Sequence, residues 1–332
     1  AEQCLHLLQR ATLERESVAP ATWRRRQLRH LHDVRAALDW TLGAAHDCEL
    51  GARLVVNASV YFADIGALGE HMSWLERALS LLPGAYKDGE LDMLLCLEHG
   101  QAEMALRGAC ARSRHLLQRA GAIARRLDLA DRELSALRAE CSGLLLEGEH
   151  AAAQQAAQRY GDIANATLDV RAMRSAHRMM ALCLYAQGEH ARAMEEIRKA
   201  LRSHALLPRQ MFVNISQPDE RTGALVHLAR ILWVTGATDQ ARRAAHDALE
   251  SARATDHGLS QIYALVFAAC PVAIWCHDLD EARLMVDQLD HIALRQALGF
   301  WQTWADLYRQ AVARLDSAAA ATRPAFDGGN DP

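Results

Sequence analysis

The chain has 332 residues, of which 51% are hydrophobic and 23% charged, and it carries a formal net charge of −4. This length predicts two domains or one elongated array, and the interspersed charges exclude a disordered chain. The slightly acidic balance excludes a basic nucleic-acid-binding surface. No secretory signal or membrane-spanning run is evident, and eight scattered cysteines indicate free thiols, so we expect a cytoplasmic protein.

Residues 1–50 are predicted to form N-terminal helices, with Pro20 separating two of them. Arg24–Arg26 and Arg29 form a basic cluster on the second of these helices. Such a cluster fits phosphate binding, but it fits equally a solvated helix face or a contact with a neighbouring domain. Because the sequence does not start with methionine, we expect it to continue upstream.

A repeated pattern organises residues 51–312, which we predict to be one helical-repeat domain. Each copy consists of an apolar helix, a turn residue, a few polar residues and a second helix. The turn residues stand 40 to 48 positions apart and are Gly66, Gly108, Gly148, Gly188, Gly236 and His277. A glycine at this place predicts that the first helix ends in the left-handed conformation.

Small and medium-sized residues recur at fixed distances from each turn, which predicts close packing between helices. Seven positions before the turn stand Ser59, Gln101, Cys141, Ala181, Ala229 and Cys270. Five positions after it stand His71, Ser113, Ala153, Ala193, Ala241 and Ala282. We therefore predict an all-α fold, an α-solenoid of six to seven antiparallel helix pairs that resemble tetratricopeptide (TPR) repeats, wound into a right-handed superhelix.

Two segments depart from the repeat. Pro208, Pro218 and a polar run break the helical pattern in residues 204–222, which predicts an insertion loop. A loop of this length is either functional or a tolerated surface insertion. Residues 313–332 end in Pro, Gly and Asp and are predicted to form a flexible tail.

Four stretches resemble a known family. "HLHDVRAALDWTLG" (30–43) and "GEHMSWLERAL" (69–79) resemble the region after the ATPase module of bacterial signal-transduction ATPases with numerous domains (STAND ATPases). "GALVHLARILWVTGATDQARRAAHDALESARATDHGLSQIYALVFAACPVAIWCHDLDEA" (223–282) and "ALGFWQTWADLY" (297–308) resemble their C-terminal helical repeats. The resemblance implies an upstream ATPase that binds ATP, a winged-helix domain that binds DNA, and a sensing role for the repeats. The chain itself has no G-x-x-x-x-G-K-[ST] phosphate loop and no basic recognition helix, so we expect no ATP site and no direct DNA contact within it.

No catalytic or metal-binding pattern is evident. His30 and His32 are two residues apart, which places them on different faces of a helix. The sequence has no CxxC or HExxH pair for a metal and no G-x-S-x-G for a nucleophile. We therefore predict a non-catalytic chain that holds no metal or other cofactor and contacts no membrane.

Cys270–Pro271 and Cys276–His277 together resemble a redox or metal site. The repeat, however, places Cys270 at a small-residue position and His277 at the turn. Cys276 lies six residues after Cys270, more than half a helical turn out of phase. These residues are therefore predicted to belong to a core helix that Pro271 kinks, which leaves a free carbonyl near Phe267.

The first helix of each pair lines a concave groove in TPR-like stacks, and its groove-facing positions lie about ten, six, three and two residues before the turn. Those positions hold Glu98, Arg138, Ser142, Arg178, Tyr185, Arg230, Trp233, Phe267 and Trp275. Three arginines beside aromatic rings predict a groove that binds a small anionic or aromatic ligand, or a protein or peptide. Alternatively, the tryptophans pack between helices and the arginines pair with neighbouring acids.

These observations favour a ligand- or partner-sensing domain of a bacterial ATP-dependent transcriptional regulator. In this hypothesis, binding in the groove changes the curvature of the array and so acts on the attached domains. The alternative hypothesis is a scaffold for protein–protein interaction or self-association that binds no small ligand.

Overall fold

The computed structural model describes residues 1–14, 18, 20–43, 47–204 and 218–322. All regular structure within these ranges is helical, and from α3 to α14 and again from α15 to α17 each helix packs against the next along the chain. The helices are α1 Glu2–Glu14, α2 Pro20–Leu28, α3 Leu31–Leu38, α4 Cys48–Asp64, α5 Leu68–Leu81, α6 Glu90–Arg107, α7 Ala111–Arg126, α8 Ala130–Leu146, α9 His150–Ala166, α10 Val170–Ala186, α11 His190–His204, α12 Glu220–Val234, α13 Thr238–Arg253, α14 Gly258–Ala264, α15 Cys270–Trp275, α16 Leu279–Arg295 and α17 Gly299–Thr322. The predicted all-α fold of stacked helix pairs is thus confirmed.

The predicted turn residues end the first helix of each pair. The five glycines adopt φ between +73° and +82°, and His277 takes the same left-handed region at +57°. At all of these turns except that of Gly108, the residue after the turn donates its N–H to the carbonyl five positions earlier, as from Glu149 to Leu144 at 2.8 Å and from Asp278 to Ala273 at 3.0 Å. This arrangement satisfies carbonyl groups that the end of a helix leaves without a partner.

The small-residue positions lie in the core between helices. None of the residues seven before or five after a turn is more than 4% exposed. Medium-sized residues nine positions after the turn, such as Leu75, Leu117 and Ile197, fill the space beside them and are at most 1% exposed. Short side chains at these positions allow the helix axes to approach each other, and close packing of this kind accounts for much of the stability of a solenoid.

The helix that contains Pro271 differs from the sequence prediction. Five residues, Leu265–Ala269, form a π-helical turn between α14 and α15, and the N–H of Cys270 donates to the carbonyl of Leu265. In this register the carbonyl of Val266 is the one that faces the missing N–H of Pro271. The hydroxyl of Tyr308 donates to that carbonyl at 2.6 Å. The freed carbonyl is therefore that of Val266, next to Phe267 as predicted, and Tyr308 in α17 donates a hydrogen bond to it.

The N-terminal and C-terminal parts of the array contact each other, α17 against α6 and α2 against the segment before α14, so the superhelix closes around its concave side. The indole N–H of Trp301 in α17 donates to the carbonyl of Ala105 in α6 at 2.9 Å. Arg24 in α2 forms an ion pair with Asp256, which lies before α14, at 3.3 Å. One continuous apolar core runs from Leu8 to Ala305 across this junction.

The segments outside the repeats are partly described. Residues 1–43 form α1–α3, in which Trp23 is buried and donates its indole N–H to the carbonyl of Ala11 at 2.6 Å. Most of the predicted insertion, residues 205–217, lies outside the described residues, and so does the end of the tail, residues 323–332. The last helix continues to Thr322, beyond the predicted boundary at residue 312.

One described segment, Gly258–Trp275, is long and apolar enough to span a membrane by these two criteria alone, but 72% of it is buried inside the protein. It comprises α14, the π turn and α15, and its apolar residues belong to the common core. Burial of this extent is typical of a core helix in a helical-repeat protein.

Candidate ligand-binding cavity

The concave side of the superhelix contains a cavity of about 410 Å³. First helices of successive pairs (α6, α8, α10, α12 and α14–α15) form most of its wall, and α17 completes it. Six of the nine groove residues predicted from the sequence line it, namely Arg138, Ser142, Arg178, Tyr185, Arg230 and Phe267. The structure brings these residues together, and their role in ligand binding stays a prediction.

Glu220 joins two of the arginines from neighbouring repeats. Its carboxylate accepts from Arg178 Nε at 2.9 Å and from Arg178 Nη2 at 3.3 Å, and also from Arg138 Nη1 at 3.3 Å. The side chain of Arg178 is only 8% exposed and that of Glu220 19%. A Cβ at Gly223 would lie 3.3 Å from Arg178 Cδ, so this glycine gives the arginine room to lie along α12.

Glu220, Arg178 and Arg138, which we call the ion cluster, keep their charges at neutral pH. Burial alone would raise the pKa of Glu220, but Arg178 and Arg138 outweigh it and lower that pKa to about 2. Burial likewise works against the charge of Arg178, yet the adjacent Glu220 raises the pKa of its guanidinium. A buried charge that is paired and hydrogen-bonded on several sides contributes more to fixing geometry than to stability.

Arg230 is held differently from the other two arginines. Its guanidinium carbon lies 4.9 Å from the centre of the Tyr185 ring, a cation–π contact between α12 and α10. Its buried Nε has no hydrogen-bond acceptor among the described residues. His227, one turn earlier on α12, is buried, and burial together with Arg178 and Arg230 keeps its pKa well below the usual range, so it is neutral.

Aromatic rings form another part of the cavity wall. The ring of Phe267 lies 4.7 Å from Tyr263, 5.6 Å from Trp304 and 6.1 Å from Trp301, measured between centroids. These edge-on and tilted contacts are the preferred arrangement of aromatic pairs. Because two of the rings come from α17, this wall exists only when the last helix packs across the concave side.

Three of the predicted groove residues lie outside the cavity. Trp233 and Trp275 stack on each other, with centroids 5.5 Å apart and an angle of 23° between the rings. Glu98 accepts a hydrogen bond from Ser59 in α4, and burial raises its pKa. The cavity does not reach Glu98, and on α6 it is lined by Gln101, Met104 and Ala105, nearer the end of the helix that Trp301 contacts.

Sequence reasoning missed several residues of the cavity. Tyr263 lies four residues before Phe267, and His227 three before Arg230, so extending the same helical faces by one turn would have found both. Glu220 had no such signal, because it follows the insertion and lies outside the offsets used. Phe300, Trp301 and Trp304 follow the last predicted turn residue, and nothing in the repeat indicated that their helix closes the cavity.

The described residues contain no group of three or more side chains suited to hold a metal ion. Cys270 is fully buried, and burial raises the pKa of its thiol, which makes it unreactive at neutral pH. Cys276 is partly buried on the next turn, and no bond between the two thiols is formed. Both cysteines therefore belong to the packing of a core helix.

Comparison with known proteins identifies the fold. No family model and no curated protein matches the chain. The Rap conjugation gene regulator of the plasmid pLS20, in complex with the Phr* peptide, matches 83% of this chain and 78% of its own at 15% identity and a TM-score of 0.57. A Rap protein complexed with competence and sporulation factor matches 82% of this chain and 76% of its own at 14% identity and a TM-score of 0.53. The apo form of RapI matches 80% of this chain and 99% of its own at 12% identity and a TM-score of 0.53.

At these identities the likeness concerns the fold alone. Together with the positive-φ turns and the buried small-residue positions, it defines the class of protein. The chain is an all-α solenoid of TPR-like helix pairs.

Proposed function

We propose that the chain is a non-catalytic binding module that takes a small anionic or aromatic ligand, or a peptide, in its concave cavity. The observation that carries this proposal is the placement of three arginines and six aromatic side chains around one cavity of about 410 Å³. Cavities of about 300–1,000 Å³ with a few convergent polar groups are the usual form of small-molecule sites.

Proteins of the same fold supply a second, weaker support. The pLS20 regulator is in complex with the Phr* peptide and another Rap protein with competence and sporulation factor, so this fold accommodates such partners in those proteins. By analogy, a peptide is a second class of partner for this chain beside a small molecule.

We further propose that the module belongs to a cytoplasmic ATP-dependent transcriptional regulator. ATP would bind an upstream ATPase module and DNA a winged-helix domain, as the resemblance of residues 30–43 and 69–79 implies. A ligand that contacts both α17 and the earlier repeats would favour the closed superhelix, and that change in curvature would act on the attached domains.

The experiment that tests the binding function is a thermal-shift screen of the purified chain against a metabolite library and a peptide library. A ligand that binds only the folded state stabilises it by RT ln(1 + [L]/Kd), about 2.7 kcal/mol at a hundredfold excess over Kd, so we expect hits with a raised Tm. A screen with no hits in either library, together with an empty pull-down, would contradict the proposal.

A further inference from the structure

We propose that the cavity selects a small carboxylate with a flat apolar body, and that Arg230 is the residue that binds the carboxylate. This inference rests on the proposed function, because it names the ligand class of the same cavity. It follows from the charge balance of the cavity, from the different partners of its three arginines, and from the shape of its aromatic wall.

The cavity carries an excess of positive charge. Its charged lining residues are arginines, and within the described residues no Asp or Glu lines it. Glu220 lies behind Arg138 and Arg178, so three guanidinium groups and one carboxylate leave two positive charges without a counter-charge. Residues 205–217, which precede the cavity-lining Pro218, contain no Asp or Glu either. A negative charge on the ligand would therefore be favoured strongly in this partly desolvated space.

Of the three arginines, Arg230 is the one whose guanidinium donors are not used by Glu220. Arg178 already commits Nε and Nη2 to Glu220, and Arg138 commits Nη1. Arg230 forms no ion pair with any described residue, and the Tyr185 ring at 4.9 Å holds its guanidinium group in place. A planar carboxylate binds such a group through two parallel hydrogen bonds.

The remaining wall fits an apolar, flat ligand body. Tyr263, Phe267 and Trp304 present aromatic surfaces next to the arginines, and His227 between them is neutral. Because α17 closes the concave side against α6, the space suits a compact ligand better than an extended peptide. A single carboxylate on an aromatic ring matches both halves of the cavity.

Isothermal titration calorimetry with two matched probes tests the inference on the whole chain. 3-Phenylpropionate carries the carboxylate and the ring, and 3-phenylpropionamide has nearly the same shape without the charge. We expect the wild-type chain to bind the carboxylate at least about tenfold more tightly than the amide, as a charge-assisted hydrogen-bond pair implies. In Arg230→Gln that preference should disappear, while the affinity for the amide stays unchanged.

Arg221→Gln is the control, because Arg221 is an exposed arginine on the same helix and does not line the cavity. It removes the same charge and should keep the tenfold preference. Equal affinity of wild type for the two probes, no binding of 3-phenylpropionate at millimolar concentration, or an unchanged preference in Arg230→Gln would overturn the inference. If peptides from the library bind while both probes fail, the binding function survives and the ligand class is wrong. If nothing binds at all, both proposals fail.

Discussion

Glu220 is the residue on which the polar side of the cavity depends, since it holds two arginines from neighbouring repeats. Replacing Arg178 with Gln leaves this carboxylate half-neutralised and largely buried. We expect Arg178→Gln to lower the free energy of unfolding by about 2–4 kcal/mol in urea denaturation, as removal of one partner from a buried ion pair does. Arg221→Gln, on the solvated face of α12, should change it by less than about 0.5 kcal/mol. Equal effects of the two variants would contradict the structural role of the cluster.

Three buried histidines predict how stability depends on pH. His71 stacks on Phe62 with ring centroids 5.4 Å apart, and burial, assisted by the nearby His99, lowers its pKa to about 3. Burial also lowers the pKa values of His99 and His227. The unfolded chain, with histidine pKa values of about 6.5, therefore binds more protons than the folded chain below that pH. The contribution of these neutral histidines to the free energy of unfolding is fully present above pH 6.5 and is lost as the pH falls toward 3.

Between pH 7 and pH 5 we expect His71 to account for a loss of about 2 kcal/mol in the free energy of unfolding. Urea denaturation at several pH values measures the slope, and His71→Leu should make it shallower. His246→Leu, which replaces an exposed histidine on α13, should leave the slope unchanged. A slope that is the same in wild type and His71→Leu would show that His71 does not titrate as its burial implies.

The groove residues show which parts of the site can be predicted from the sequence and which cannot. The offsets from the turn placed Arg138, Arg178 and Arg230 together, because helical periodicity fixes which residues of one helix share a face. The same offsets put Trp233 and Trp275 in the groove, although each packs against the other. Whether a large ring faces a cavity or its neighbour is decided by contacts between repeats, which the spacing within one helix does not contain.

At the scale of elements, the turns and core positions could be predicted and the π turn could not. Six turn residues and their small neighbours recur, so the repeat itself identifies them. In the π turn at Leu265–Ala269, the carbonyl of Val266 accepts a hydrogen bond from Tyr308, which lies 42 residues later in another helix. Pro271 predicts a disturbed helix, because it lacks the N–H of a helical hydrogen bond. Which group compensates for that missing bond is decided by the packing of other helices and cannot be read from the sequence around Pro271.

Tyr308→Phe tests this compensation. Removing the hydroxyl leaves the buried carbonyl of Val266 without a partner, which we expect to cost about 1–3 kcal/mol in the free energy of unfolding. In a Pro271→Ala background the new N–H can take the place of the hydroxyl, so the same substitution should cost less. Identical costs of Tyr308→Phe in the two backgrounds would show that the hydroxyl and the proline are not coupled.

At the scale of the whole molecule, the closure of the superhelix is the feature that the sequence predicted least. The repeats predicted a curved array with a concave groove. The contact between α17 and α6 depends on the total curvature of the successive helix pairs. It joins Trp301 and Ala105, which lie 196 positions apart in the sequence. Small differences in the angle between pairs accumulate along a solenoid, and a local pattern does not encode their sum.

Trp301→Phe tests the closure. The substitution removes the hydrogen bond to the carbonyl of Ala105 and some buried apolar area, and we expect a loss of about 1–2 kcal/mol in the free energy of unfolding. Trp304→Phe is the matched control, because Trp304 lines the same cavity and its indole N–H has no acceptor among the described residues. Urea denaturation should give a lower free energy of unfolding for Trp301→Phe than for Trp304→Phe. The reverse order would contradict a closing role for Trp301.

The most direct test of the concave cavity as the binding site is hydrogen exchange measured by mass spectrometry with and without a saturating concentration of 3-phenylpropionate. The account predicts slower amide exchange in α8, α10, α12 and α17, which line the cavity, and unchanged exchange in α9, α11 and α13 on the other side of each pair. Slower exchange confined to α1–α3 or to the second helices of the pairs would contradict it.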